Sequence, residues 1–388
     1  MGMSDVRAGA AATGLSLALA LGGLAACGDT PAAPEPEPIR LGLLAPLTGL
    51  NAPSGKVMVN AARLAVDETN AAGGVLGRKV ELVVGDDACD PGTAVAAATT
   101  LVGDDVTVSV GGYCSSATVP TTKIFRTAGV PMIIPLSNST DLISPGYDNV
   151  FLLSGTVQAE GIFAVDQIAE LGGRRLAVVH DGTSFPLTLA EATAAAAKAA
   201  GSSVTVAAEL PLAQGAATYV RVADQVLASG ADSVYFTGYY GEANQLVKDL
   251  RGRGFAGLIV VGDGATDGPL REGLTPAQLT KLYGTTLLVP EFMPEAADWS
   301  ERYRAAYGQA PPPATIEAYD AVVLAVDAIR RAGKADKAAI RTAIANSKGV
   351  KLVSGPVSFA GDGTRNDPRF LLLRAKTNGF ELVADSAT

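Results

Sequence analysis

Residues 39–84 read IRLGLLAPLTGLNAPSGKVMVNAARLAVDETNAAGGVLGRKVELVV, and their pattern decides the fold class. Residues 39–44 form a short apolar run of strand length. A loop rich in Pro and Gly follows, and from 57 to 70 the apolar residues recur at helical spacing. Gly73 and Gly74 stop that helix in the expected way. Residues 79–84 supply the next strand. Strand, loop, helix, glycine turn and strand make one β/α/β unit.

Working outward, the same grammar repeats. A helix is expected over 91–102, a strand over 106–110, a helix from near Ser116 and a strand opening at Ile133. After residue 155 it restarts, with strands at 151–153, 175–180, 204–208, 233–236 and 258–261. Helices over 158–171, through the alanine-rich stretch to 200, over 219–229 and over 242–251 separate them. Short buried strands alternating with such helices mean an α/β protein with mainly parallel sheets. Two β/α bodies in tandem are expected, and the segment from Thr285 through helices at 297–307 and 315–331 is read as returning to the first. Ligands of open α/β sheets sit at the carboxyl ends of strands. The loops at 46–54, 86–90, 112–116, 135–141, 181–186, 237–241 and 262–266 therefore form a cleft between the bodies.

Composition narrows the function. The 388 residues carry 30 basic and 39 acidic side chains, a net charge of -9, which argues against a nucleic-acid partner. A hydrophobic fraction of 48% excludes a mostly disordered chain, and three cysteines exclude a disulfide-rich scaffold. Residues 8–26, AGAAATGLSLALALGGLAA, are uncharged and follow Arg7; the apolar core at 15–21 has the length of a secretory signal and is short for a membrane span. The run ends in Leu24-Ala25-Ala26-Cys27, which resembles a bacterial lipoprotein signal. That resemblance implies cleavage after residue 26 and lipid on Cys27. Residues 27–38, rich in Pro and Glu, then read as a tether holding an extracytoplasmic, lipid-anchored body off the membrane.

The loops carry the candidate chemistry. In Tyr113-Cys114-Ser115-Ser116 a helix start and a hydroxyl suit a carboxylate, or simply cap a helix. Ser137-Asn138 offers a second polar loop. In the second body, Tyr239 and Asp263 follow strands, and Asp263 between two glycines is either a turn residue or a partner for an ammonium. Phe185 adds apolar wall. A carboxylate-binding loop on one body and an acid on the other describe a site for a zwitterion, economically an amino acid. Cys89 and Cys114 end neighbouring β-loops, where an oxidising compartment favours a bond. Asp86, Asp87 and Asp90 read as a solvated loop rather than a metal site. The chain lacks GxSxG, HExxH, Walker and GxGxxG motifs and has one histidine, His180. No catalytic residue, metal or cofactor is expected.

The stretches APLTGLNAPSG (45–55), AVDETNAAGGVLGRKVELVVGDDACDP (65–91), GGYCSSATVP (111–120), GVPMIIPLSNSTDL (129–142), VYFTGYYGEA (234–243) and VGDGA (261–265) resemble the periplasmic branched-chain amino-acid-binding proteins, receptors of ABC importers. The resemblance implies a two-lobed type I fold with three crossovers: lobe 1 over 39–156, lobe 2 over 157–285, a return to lobe 1 over 286–352, and a terminal segment, 353–388, crossing to lobe 2. It implies that Ser115 takes the ligand carboxylate, that the Ser137 carbonyl and Asp263 take the ammonium, and that Asn138 and Tyr239 complete the site. It also implies a Cys89–Cys114 disulfide and an ABC permease as partner. Ser54 stands where an aromatic is expected, Phe185 where a tyrosine is, and Asp263 where leucine receptors carry glutamate. These departures leave open a non-branched amino acid, an amide or a small carboxylate as ligand. Sensing for a signalling partner is the alternative to transport.

Overall fold

The computed structural model describes residues 36–387. The expected signal segment, Cys27 and most of the tether lie outside the described residues. The chain runs β1 (Ile39–Ala45), α1 (Ala52–Ala71), β2 (Val80–Asp86), α2 (Pro91–Gly103), β3 (Val108–Ser109), α3 (Ser115–Thr127), β4 (Met132–Ile134) and β5 (Val150–Leu152). These strands form a parallel sheet in the order β2-β1-β3-β4-β5. Next come α4 (Val157–Glu170), β6 (Arg175–His180), α5 (Ser184–Lys198), β7 (Thr205–Pro211), α6 (Val220–Ala228), β8 (Ser233–Phe236), α7 (Tyr240–Gly252), β9 (Leu258–Val261) and β10 (Leu282–Thr286). Helices α8 (Ala297–Tyr307), α9 (Thr315–Ala332) and α10 (Lys337–Ala345) precede β11 (Val350–Leu352), β12 (Gly355–Val357), β13 (Leu371–Lys376) and β14 (Gly379–Asp385). The second sheet has the order β14-β13-β10-β9-β8-β6-β7; its pairings are parallel except those that β13 makes with β10 and with β14. The protein is thus an α/β molecule of two lobes, each a mostly parallel sheet flanked by helices.

Both sheets are covered on both faces, which is why their strands read as continuous apolar runs. In the first, Leu41, Leu43, Val110 and Ile133 pack on α1 and α9, while Leu44, Met132 and Ile134 face α2 and α3 around Phe125. In the second, Leu176, Val178 and Val260 meet α4 and α5, while Val179, Val234 and Ile259 meet α6 and α7. Helix α9 follows the second sheet's β10 in sequence, yet it packs on α1. Small residues on both helices, Ala61, Ala62 and Ala65 with Ala318, Ala321 and Ala325, are fully buried and let the two axes approach closely. That packing pulls the chain back to the first lobe.

Three segments cross between the lobes: the one after β5, the one after β10 and the one before β13. The last stays beside the first sheet as far as Arg365. Leu152 N–H donates to the Gly363 carbonyl at 2.9 Å, and Arg365 Nη1 donates to the Leu153 carbonyl at 3.1 Å. Only then does Leu371 enter the second sheet.

Local differences from the sequence reading have physical reasons. Helix α1 starts at Ala52 rather than 57, because Pro53 fits the first helical turn, where its missing N–H costs nothing. Gly55 is required inside that turn: a Cβ there would stand 1.8 Å from the Pro46 carbonyl oxygen. The first lobe's loop therefore folds tightly over its own helix start.

Candidate functional site

The parallel strands of both lobes end on a common cleft. Ser54, Tyr113, Leu136 and Asn138 line it from the first lobe, and Phe185, Tyr239, Asp263, Gly264 and Asp267 from the second. Leu287, Leu288, Pro313 and Ala314, in the stretch between β10 and α9, close its back.

The first lobe's share is held by covalent and backbone constraints. Cys89 and Cys114 form a disulfide with Cα atoms 5.3 Å apart. It joins the loop after β2 to the start of α3. Gly111 has to be glycine, since a Cβ there would lie 2.3 Å from the Leu44 backbone nitrogen. This close pass of β3 against β1 delivers Tyr113 and Ser115 to the cleft side. The acids of the neighbouring loop are used internally. Asp86 accepts from Leu47 N–H and Ala88 N–H, each at 2.8 Å, and from the Thr48 hydroxyl at 2.7 Å. Asp87 accepts from Cys89 N–H at 2.9 Å, and burial pushes its carboxyl up to about 6. Asp90 caps α2 by accepting from Thr93 N–H.

Ser115 and Ser137 are buried in the first lobe and do not line the cleft itself. Ser115 Oγ accepts from Ser139 N–H at 3.3 Å, and Ser137 Oγ lies 2.8 Å from Thr118 Oγ1. Ser115 is the first residue of α3, so it stands where the helix presents N–H groups without intrahelical acceptors. Ser54 Oγ is buried without a well-aligned hydrogen-bond partner.

Across the cleft the lobes touch. Asn138 Nδ2 donates to Asp263 Oδ2 at 2.9 Å. The Tyr239 ring lies 6.3 Å from that of Tyr113 and 5.6 Å from that of Phe185, so an aromatic wall stands beside the polar pair. Tyr240 donates its hydroxyl to the Leu50 carbonyl at 2.7 Å, and Ser184 donates to Asp141 Oδ2 at 2.7 Å. The cleft is thus closed on itself by hydrogen bonds between the lobes.

Sequence reasoning missed what stands beneath Asp263. Glu160 of α4 accepts through one oxygen from Asp263 N–H at 2.9 Å, the Thr285 hydroxyl at 2.7 Å and the Tyr235 hydroxyl at 3.2 Å. Its other oxygen is buried without a partner. Burial pushes the Glu160 carboxyl up to about 7, and burial followed by the Glu160 charge holds Asp263 well above the usual carboxylate range. The pair disfavours two negative charges. The signal was present: Glu160 interrupts the face Val157, Gly161, Ala164, Val165 and Ile168, all buried. Asp267 was also missed, lying one residue beyond the loop read at 262–266, as was the apolar back wall, whose preceding strand β10 was not read from the sequence.

His180 lies apart from the lining residues, and its Nε2 stands 3.9 Å from Glu209.

The comparisons agree with this geometry. Residues 38–379 match the sequence profile of a family described as periplasmic binding protein. An amino acid binding protein of Pseudomonas aeruginosa is 32% identical over 301 residues, covering 77% of this chain and 80% of that protein. A Leu/Ile/Val-binding protein homolog from Brucella melitensis is 30% identical over 336 residues, covering 86% and 90%. In fold, the chain is similar to the branched-chain amino acid transporter substrate binding protein LivJ of Streptococcus pneumoniae, solved with isoleucine. The TM-score is 0.79 at 24% identity, covering 90% of this chain and 99% of that one.

Proposed function

Since the chain belongs to the periplasmic binding protein family, and is therefore an extracytoplasmic solute-binding receptor, we propose that its solute is an amino acid captured as a zwitterion and handed to an ABC permease. The observation that carries this reading is the bond from Asn138 to Asp263 across the cleft. A carboxylate between dry aromatic walls, with a second buried acid behind it, is a site awaiting a cation. A ligand ammonium replaces the Asn138 donor with a charge-assisted one, which is stronger. Opening the lobes exposes the start of α3, where Ser115 and the first-turn N–H groups receive the ligand carboxylate. Ser137, Asn138 and Tyr239 flank the two ends. Receptor action needs closure and no bond chemistry.

In this reading the lobes are 39–156 with 286–352, and 157–285, with 353–388 crossing to the second. The membership of β10, β13 and β14 in the second sheet and the packing of α9 on α1 support that division. A signal over 1–26, lipid on Cys27 and a tether over 27–38 complete it, supported by the sequence alone.

Isothermal calorimetry of the purified chain against the amino acids tests the proposal. Binding of at least one, lost on removal of either its amino or its carboxyl group, is expected. Equal binding of the deaminated analogue excludes the zwitterion.

A further inference from the structure

Two acids line the cleft, and its lining contains no lysine, arginine or histidine. Asp263 is accounted for by Asn138 and, in the reading above, by the ligand ammonium. Asp267 is not. Its Oδ1 accepts from Gly268 N–H at the start of a short turn, the residue lines the cleft, and no second hydrogen bond to its carboxylate is found among the described residues. Arg271, whose field reaches Asp267, instead spends its guanidinium on the Lys376 and Thr377 carbonyls and the Phe380 ring.

Asp267 and Asp263 serve different ends of the cleft. After burial, the charge of Asp267 is the strongest influence raising the Tyr113 and Tyr240 hydroxyls, ahead of any charge from Asp263. These tyrosines belong to the end where Ser54 stands. The Ser54 hydroxyl is a second, independent sign: 3% exposed, on the cleft wall, and near the Tyr113 and Tyr240 hydroxyls without forming a well-aligned hydrogen bond to either. Leu136, Leu287 and Leu288 keep water scarce around both groups. A buried hydroxyl without a well-aligned partner and a largely desolvated carboxylate with a single backbone donor are costly unless a ligand completes them. An alkyl side chain would seal both in and pair neither.

We propose that Ser54 and Asp267 recognise an N–H group at the far end of the ligand, so that the ligand is an amino acid whose side chain ends in an amide or an ammonium rather than a bare alkyl group. This rests on the zwitterion reading, in which Asp263 is occupied by the α-ammonium. The Asp267 carboxylate accepts the terminal N–H, and the Ser54 hydroxyl pairs with the same group.

Calorimetry of the full chain with L-glutamine, L-ornithine, L-norvaline and L-leucine tests this. Glutamine or ornithine is expected to bind at least about tenfold tighter than norvaline and leucine, because a site with buried polar groups rejects an analogue that cannot pair them. Which of the two binds tighter separates amide from ammonium. Asp267→Asn and, as a milder change, Ser54→Ala should each erase most of that preference while moving norvaline and leucine by no more than about threefold. Norvaline or leucine binding as tightly as the polar pair overturns the proposal, as does failure of both glutamine and ornithine to bind. So does an Asp267→Asn loss shared equally by all four. Asp263→Asn is the control on the underlying reading: it weakens all four if that reading holds. If it weakens none, the zwitterion model fails, whatever Asp267 does.

Discussion

The first lobe brings Ser54, Tyr113 and Asn138 to the cleft, and the second brings Phe185, Tyr239, Asp263 and Asp267. One side is neutral and hydrogen-bonding; the other is anionic and aromatic. The means of holding them differ as well. The first lobe's loops are clamped by the Cys89–Cys114 disulfide and by Asp86, which ties the loops after β1 and β2 together. The second lobe's loops rest on a buried carboxyl, Glu160, which grips the Asp263 backbone, Tyr235 and Thr285. The zwitterion proposed above needs this asymmetry: neutral donors for its carboxylate on one wall and an acid for its ammonium on the other. The first support includes a covalent bond that does not titrate, whereas the second rests on a buried carboxyl raised to about 7.

The largest effect should come from opening the first lobe's clamp. The disulfide closes a loop with a sequence separation of 25, and the chain-entropy model assigns it about 3.5 kcal/mol. Cys89→Ser with Cys114→Ser should lower unfolding stability by that order, measured by urea titration under oxidising conditions. An unchanged midpoint would show that the first lobe is not organised by this bond. Next comes the second lobe's charge. Asp263→Asn should weaken amino-acid binding by about thirtyfold, or about 2 kcal/mol, since truncating a buried charge partner leaves the ligand ammonium unpaired. Calorimetry checks this, and a change under threefold would mean that the lobes do not divide the charges as described.

The pH responses sharpen the contrast. Burial raises Glu160 from 4.5 to about 7 and Glu317 from 4.5 to about 8. A raised carboxyl binds its proton more tightly when folded. Its contribution to stability is therefore full below about 4.5 and is lost as pH rises through the folded value. Without ligand, stability should fall between about pH 4.5 and 7, and Glu160→Gln should flatten that stretch by at most about 1.4 kcal/mol per pH unit. Glu317→Gln should instead flatten a window reaching about pH 8. Urea midpoints across pH separate the two, and no change in slope for either variant would refute the assignment of the titrating groups. The smallest effect is expected at Tyr240, whose hydroxyl bonds the Leu50 carbonyl across the cleft. Tyr240→Phe should cost about 1 kcal/mol of closure, seen as roughly fivefold weaker binding with faster ligand release.

Much of this was legible beforehand, because strand-end loops announce themselves. Short apolar runs followed by Gly, Ser, Thr and Asn located Tyr113, Asn138, Phe185, Tyr239 and Asp263, and all of them line the cleft. Less legible were residues whose position depends on packing between distant segments. Glu160 sits in a helix that precedes the second sheet, Thr285 lies 125 residues later, and only folding brings their side chains to 2.7 Å. Glu317 reads as an ordinary first-turn acid of α9, yet it is 2% exposed, and burial dominates its electrostatics. Asp267, half-buried on the cleft wall, looks in sequence like one more turn aspartate.

By itself, the sequence determined the layered α/β architecture, the two bodies and the family, because apolar periodicity and glycine stops are local and survive without knowledge of contacts. Tertiary structure decided that β13 and β14 complete the second sheet and that the first lobe's Ser115 and Ser137 are buried rather than open. It also decided that Asn138 and Asp263, 125 residues apart, meet at 2.9 Å. Burial and electrostatic coupling are properties of spatial neighbours, and three crossings between two lobes make neighbours of residues the chain keeps far apart.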